Sequence, residues 1–248
     1  MSNKRLTDFL HLERKPIQGQ RTSVAAVISD SKGKYLKQQV VRAEDRAIYW
    51  WCQAGDNIEK RLRWLRRNIQ NKVNELGSIH FYIWLGTCNL TTKDKSVYIS
   101  LAFTETNDAI VVITNLFKQF IDLVNQYPNC KLTFLEVPHY SIVRWNTTRG
   151  HRQPEVFATQ DNTLHEQIEA INHVIHTLNR EQGVRSPLLT VHLRARKQVK
   201  RGKNKPTKDI INFNLLSDGI HPFPLLAKVW LKEISMRISV DCYQYDNK

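Results

Sequence analysis

No apolar run in this sequence approaches the roughly 20 residues that span a bilayer. The first 21 residues carry scattered charges and no apolar segment, so a secretory signal is not expected there. Cysteine is sparse: Cys52, Cys88, Cys130 and Cys242 stand far apart, with no C-x-x-C pair to suggest a zinc knuckle or a redox motif. Without an export signal, four reduced and mostly buried thiols are expected rather than a disulfide set. Nine glycines and eight prolines are too few for a collagen-like or low-complexity chain. The expectation is therefore an intracellular protein, cytoplasmic or nuclear. Its apolar content of 41%, against 24% charged residues, excludes wholesale disorder and supplies a sizeable core.

Acidic residues are also in deficit: 23 Asp and Glu face 37 Lys and Arg, a formal net charge of +14. The excess is concentrated. Between Arg194 and Lys208 lie eight basic residues and no acidic one, among them Arg196, Lys197, Lys200, Arg201 and Lys203. A second cluster, Lys60, Arg61, Arg63, Arg66 and Arg67, falls on a predicted helix. Such blocks stay solvated and attract phosphate polymers, acidic membranes or import receptors; the plainer reading is a surface loop with no special role.

Periodicity divides the rest. Residues up to about Thr22 are polar and interrupted by Pro16 and Gly19, which suggests an arm over 1–22. Ser23 to Ile28 is a short apolar run closed by Ser29-Asp30-Ser31-Lys32-Gly33, the pattern of a buried strand feeding a turn. A helix is expected around Lys34 to Arg42, an aromatic interior strand over Ala47 to Cys52, and a helix over Asn57 to Val73. Further strands are predicted at Ile79 to Leu85, Leu132 to Val137 and Leu188 to Leu193, with an extended surface segment at Asp94 to Phe103. Helices are predicted at Asn107 to Tyr127, Leu164 to Arg180 and Pro222 to Ile238, with Pro222 as first helical residue. Strand–helix alternation with short turns implies one α/β domain over 23–248. The expected architecture is a three-layer α/β/α sandwich on a mostly parallel, flavodoxin-like sheet.

In such folds chemistry gathers at the carboxyl ends of the strands. Four small polar clusters lie there: Ser29-Asp30-Ser31, Gly55-Asp56-Asn57, Gly86-Thr87-Cys88-Asn89, and Ser217-Asp218-Gly219-Ile220-His221 before the last helix. Asp218 and His221 on one tight loop can hydrogen-bond, the carboxylate orienting the ring so that the imidazole acts as general base toward a hydroxyl.

Taken in order, these clusters resemble the conserved blocks of the SGNH/GDSL hydrolase superfamily over nearly the whole chain, from about Val24 to Ile238. The resemblance implies Ser31 as nucleophile, with Asp218 and His221 as its relay partners. It also implies an oxyanion hole built from the backbone N–H groups of Ser31 and Gly55 and from an asparagine side chain, here Asn89. Two positions depart from the pattern. Ser29 stands where the family usually has glycine, and Cys88 occupies the asparagine position, so that Asn89 falls one residue late.

Other candidates carry plainer readings. Cys88 has no sequence neighbour that would lower its pKa. His173 and His176 have metal-ligand spacing but lack a matching third ligand. Tyr49-Trp50-Trp51 could stack on bases but fits core packing or pocket lining better. His139 and Tyr140 either line the substrate mouth or form an ordinary loop. Asn89-Leu90-Thr91 and Asn146-Thr147-Thr148 match a glycosylation pattern that has no meaning without export. The expectation is a serine esterase or deacylase acting on an ester-bearing small molecule or an acylated polymer, with no cofactor or metal. The alternative is a weak or inactive domain of the same fold that grips nucleic acid through the basic loop, as in a mobile genetic element.

Overall fold

A computed structural model describes residues 3–14, 17, 19–198 and 207–244. The chain opens with helix α1 (Lys4–His11), then β1 (Gln20–Arg21), β2 (Val24–Ser29), α2 (Ser31–Lys37), α3 (Ala43–Arg46), β3 (Tyr49–Cys52), α4 (Ile58–Leu76) and β4 (Ile79–Trp84). It continues through α5 (Thr87–Leu90), β5 (Thr91–Lys93), β6 (Ile99–Leu101), α6 (Thr106–Val124), β7 (Cys130–Phe134) and α7 (Ile142–Thr148). The last part holds α8 (Ala158–Glu181), β8 (Arg194–Gln198), β9 (Thr207–Ile211), α9 (Pro224–Asp241) and β10 (Tyr243–Gln244).

The central sheet runs β3-β2-β4-β7, all parallel. Its inner strands are covered on both faces, which is why they read as continuous apolar runs rather than alternating ones. Strand β4 shows how the layers are built. Phe81 meets Trp51, which in turn packs on Trp64 of α4, whereas Trp84 on the opposite face meets Trp230 of α9 edge-on at 5.6 Å. Each such side chain taken from water contributes roughly 1.5–3 kcal/mol. Helix α6 packs against α4 and α8, and α9 against α1 and α2, giving two helical layers around the sheet. This is the three-layer α/β/α sandwich expected from the sequence.

Several expectations are corrected. The strand predicted at Leu188 to Leu193 is absent; Thr190–Leu193 is a short 3-10 turn. Its backbone is held by side chains instead of a ladder: Trp230 Nε1 donates to Leu189 O, and Thr190 N donates to Glu136 Oε2. Two asparagines of α8 occupy the edge that strand would have covered. Asn179 bonds both the N–H and the C=O of Phe134, and Asn172 does the same for Val137, so side-chain amides satisfy the backbone at the end of β7 and just beyond it.

The N-terminal segment, expected as a polar arm, contains the amphipathic helix α1 with Leu6 buried. Lys232 of α9 fixes its end by donating to the carbonyls of Phe9, Leu10 and Leu12, the groups that a helix C-terminus leaves unpaired. The aromatic strand β3 lies at the sheet edge rather than in its interior. The segment at Asp94 to Phe103 contributes β6 to an antiparallel hairpin with β5. The last helix begins at Pro224, and Pro222 instead bridges back to Leu216.

Glu136, just beyond β7, also binds His176 of α8 at 2.8 Å. Burial raises the Glu136 carboxyl, but hydrogen bonds from His176 and from the Thr190 N–H and hydroxyl outweigh it and bring it below 4.5. His176 is raised above 6.5, mainly by its hydrogen bond to Glu136. A raised histidine stabilises the fold fully below its unfolded value and loses that contribution as pH rises through the folded one. A lowered carboxyl contributes above its unfolded value and loses that contribution as pH falls through the folded one. The pair therefore contributes most between about pH 4.5 and 6.5. Urea unfolding of wild type and His176→Gln is expected to differ more at about pH 5.5 than at about pH 8.5. A difference independent of pH would show that the histidine charge plays no part.

Candidate active site

Strand β2 ends at Ser29, and α2 starts two residues later, at Ser31 rather than at Lys34 as the sequence suggested. Asp30 is its N-cap, with its side chain accepting from Lys32 N at 2.9 Å. The helix can start this close to the sheet because residue 33 is glycine: a Cβ there would lie 2.4 Å from Cys52 Sγ and 2.9 Å from Ser29 Cβ. Ser29 continues the strand, so the glycine usual at that position is not required for a left-handed turn.

The Asp218–His221 loop is seated on α7. Gly219, at φ 88°, comes so close that a Cβ would lie 2.9 Å from Trp145 N, and its carbonyl accepts from Ser141 N at 3.0 Å. Asp218 Oδ1 accepts from the backbone N–H groups of Ile220 and His221, at 3.0 and 2.8 Å. Its Oδ2 lies 2.7 Å from His221 Nδ1, and His221 Nε2 lies 2.7 Å from Ser31 Oγ. Residues 190 positions apart thus form one hydroxyl–imidazole–carboxylate chain. Burial tends to raise the Asp218 carboxyl, but the His221 ring and the two backbone donors outweigh it and hold it below 3.8. An ionised Asp218 fixes the Nδ1–H tautomer and leaves Nε2 free to accept the serine proton. Tyr35, one helical turn after Ser31, stacks on the His221 ring at 4.8 Å, and Trp145 lies 6.0 Å from it.

The loop after β3 is tied to the serine loop by Gln53 N donating to Ser29 O at 3.0 Å. Gly55 follows in that loop at φ 72°. Asn89 is placed otherwise than the resemblance implied. Its Oδ1 accepts from Ile58 N at 2.9 Å and its Nδ2 donates to Glu59 at 2.8 Å, so the amide braces the first turn of α4. Burial pushes the Cys88 thiol up to about 11, which keeps it protonated.

Beneath Ser31 lies a feature the sequence reading missed. Lys32 is almost wholly buried; its Nζ pairs with the Asp30 carboxylate and donates to Thr87 Oγ1 at 2.7 Å, with the Trp84 ring 5.5 Å away. This cation links the serine turn to the loop after β4. Tyr35 had a signal in its spacing of four from Ser31, whereas nothing local in the sequence marks Lys32 as buried.

The remaining candidates fall elsewhere. His139 is buried against Glu169 at 2.8 Å, and Tyr140 donates to Thr87 O at 2.9 Å, so both are packed rather than exposed at a mouth. His176 is bound by Glu136, while His173 is exposed. In the second basic cluster, Arg61 turns inward to pair with Asp56 and lies over the Trp64 ring. The predicted basic loop begins and ends as the antiparallel hairpin β8–β9. Arg194 pairs with Glu169 at 2.8 Å, and Arg196 lies 3.6 Å from Asp209. Lys197 pairs with Lys208 in the hairpin register, and Lys200, Arg201 and Lys203 lie outside the described residues.

No family model matches the sequence, and no curated protein matches it. Solved structures do. A lipase/acylhydrolase from Enterococcus faecalis is 12% identical, with a TM-score of 0.53 over 88% of this chain and 97% of its own. A GDSL-like lipase from Bacteroides thetaiotaomicron is also 12% identical, with a TM-score of 0.54 over 96% of this chain and 98% of its own. With the strand order and layering above, these likenesses show that the chain has an SGNH/GDSL hydrolase-like fold.

Proposed function

We propose that this protein is a serine hydrolase that cleaves carboxylic esters through an acyl intermediate on Ser31. The carrying observation is the continuous contact from Ser31 Oγ to His221 Nε2 and from Nδ1 to Asp218, each 2.7 Å long. His221 takes the hydroxyl proton as Ser31 Oγ bonds to the ester carbonyl carbon. The tetrahedral adduct then expels the alcohol oxygen, which leaves with the proton held on His221. Water repeats the sequence: it gives a proton to His221 and attacks the acyl carbon, and the acid leaves as Ser31 regains its proton. The backbone N–H groups of Ser31 and Gly55 are the proposed donors to the developing oxyanion. Asn89 braces α4 with its Oδ1 and one of its two Nδ2–H groups, and we propose that it does not serve as a third donor. Losing one such donor typically costs about 100- to 1000-fold in rate, so a slow esterase is the expectation.

A fluorophosphonate probe is expected to label Ser31, and Ser31→Ala to lose both the label and turnover of 4-nitrophenyl acetate. A wild-type protein showing neither label nor turnover overturns this reading.

A further inference from the structure

Arg149 closes α7 and reaches the Asp218–His221 loop. Its Nη2 lies 3.8 Å from Asp218 Oδ2, and its side chain is 40% exposed. That distance is long for a charge-assisted bond, which runs at about 2.7–2.9 Å. Asp218 is already engaged by His221 on one oxygen and by two backbone N–H groups on the other. Orienting Asp218 therefore does not account for Arg149.

The guanidinium is nonetheless held in place. It lies over the Trp145 ring at 4.2 Å, and Trp145 is itself fixed by donating to Val97 O at 2.9 Å. Among the described residues the Arg149 guanidinium makes no hydrogen bond. A flat guanidinium braced on an indole, in contact with Asp218 only through Nη2 at 3.8 Å, is preorganised for bidentate contact with a further carboxylate, phosphate or sulfate. Arg144, also on α7, is held in a similar way over Phe213 and by Asn214, on the turn that leads into the Asp218 loop. No acidic residue occurs between Arg144 and Arg152.

We infer that Arg149 is an anion-recognition site beside the catalytic centre, and that the preferred substrates are esters carrying a fixed negative charge. The inference rests on the hydrolase reading of Ser31 for its substrate and on the geometry of α7 for its charge preference. The anion can sit on the acyl side or on the alcohol side of the ester.

Two ester pairs separate these cases. One compares 4-nitrophenyl hemiglutarate with 4-nitrophenyl valerate; the other compares the acetyl ester of 4-hydroxybenzenesulfonate with phenyl acetate. At low ionic strength, Arg149→Gln is expected to lower kcat/KM for the anionic member of one pair about tenfold more than for its neutral partner. The pair that responds identifies the side bearing the charge. Equal losses across both pairs would make Arg149 a general support of the Asp218 loop and overturn the inference.

A second measurement needs no turnover. Titration with sodium sulfate at constant ionic strength is expected to change the tryptophan emission of the wild type but not of Arg149→Gln, because Arg149 covers Trp145. No sulfate response in the wild type overturns the anion site. A sulfate response without hydrolysis of any ester leaves the anion site standing and removes the hydrolase reading.

Discussion

Asp218→Asn is expected to lower kcat by about 10,000-fold while leaving the protein folded. The reason lies in how the carboxylate is divided. Oδ1 is fixed by the N–H groups of Ile220 and His221, which can be answered only by an acceptor. An asparagine must keep its carbonyl oxygen there, so its NH2 faces His221 Nδ1. That nitrogen must then accept, and the ring proton moves to Nε2. An Nε2–H donates to Ser31 Oγ and cannot take its proton. The geometry survives and the chemistry fails, because the ring is held in the wrong tautomer. Fluorophosphonate labelling is expected to slow by a comparable factor, since it depends on the same proton transfer. Thermal unfolding should change little, as both backbone contacts and the contact to the His221 ring have counterparts in the amide. A variant turning over near the wild-type rate would remove His221 as the base acting on Ser31.

The residues of that chain were legible in the sequence because each sits where a short apolar strand or a helix-leading loop ends in small polar residues. Ser31 comes two residues after the end of Val24–Ser29, and the three-residue spacing of Asp218 and His221 on a tight loop permits a hydrogen bond by itself. The parallel sheet was legible for the same reason: β2 and β4 are buried on both faces, and their runs of apolar residues state it. What escaped was set by contacts between distant segments. Nothing local in Leu188 to Leu193 distinguishes a strand from a turn whose backbone is taken up by Trp230 and Glu136. Asn172 and Asn179 read as ordinary polar positions of a long helix, although they satisfy the backbone at the end of β7 and just beyond it. Asn89 matched a motif one residue out of step, and only the position of α4 decides what its amide meets. The charge total misled most. It counts Lys32, Arg61 and Lys232 with the surface cations, yet all three are buried.

Of those three, Lys32 is expected to have the largest effect on stability. Lys32→Met should destabilise the fold by about 3–5 kcal/mol, since it leaves the Asp30 carboxylate buried without its counter-charge. That is a large share of the roughly 5–15 kcal/mol by which a typical domain is stable. Both side chains are only 2% exposed, so water cannot take the place of the lost ammonium. Thr87 Oγ1 loses its donor as well, which loosens the connection between the serine turn and α5. Replacing both charges has a different consequence. In Asp30→Asn/Lys32→Met the asparagine still caps the residue 32 N–H, and a methionine stem fills the space beside Trp84. No ion is left buried, so the double variant should recover most of the loss and lie within about 1–2 kcal/mol of wild type. Urea unfolding of wild type, both single variants and the double variant gives the coupling energy directly. Additive losses would mean that the ion pair is not what holds this turn. Recovery in the double variant would identify it as a matched pair, in which the cost of burying each charge is offset by the other and Ser31 is held at the end of β2 as a result.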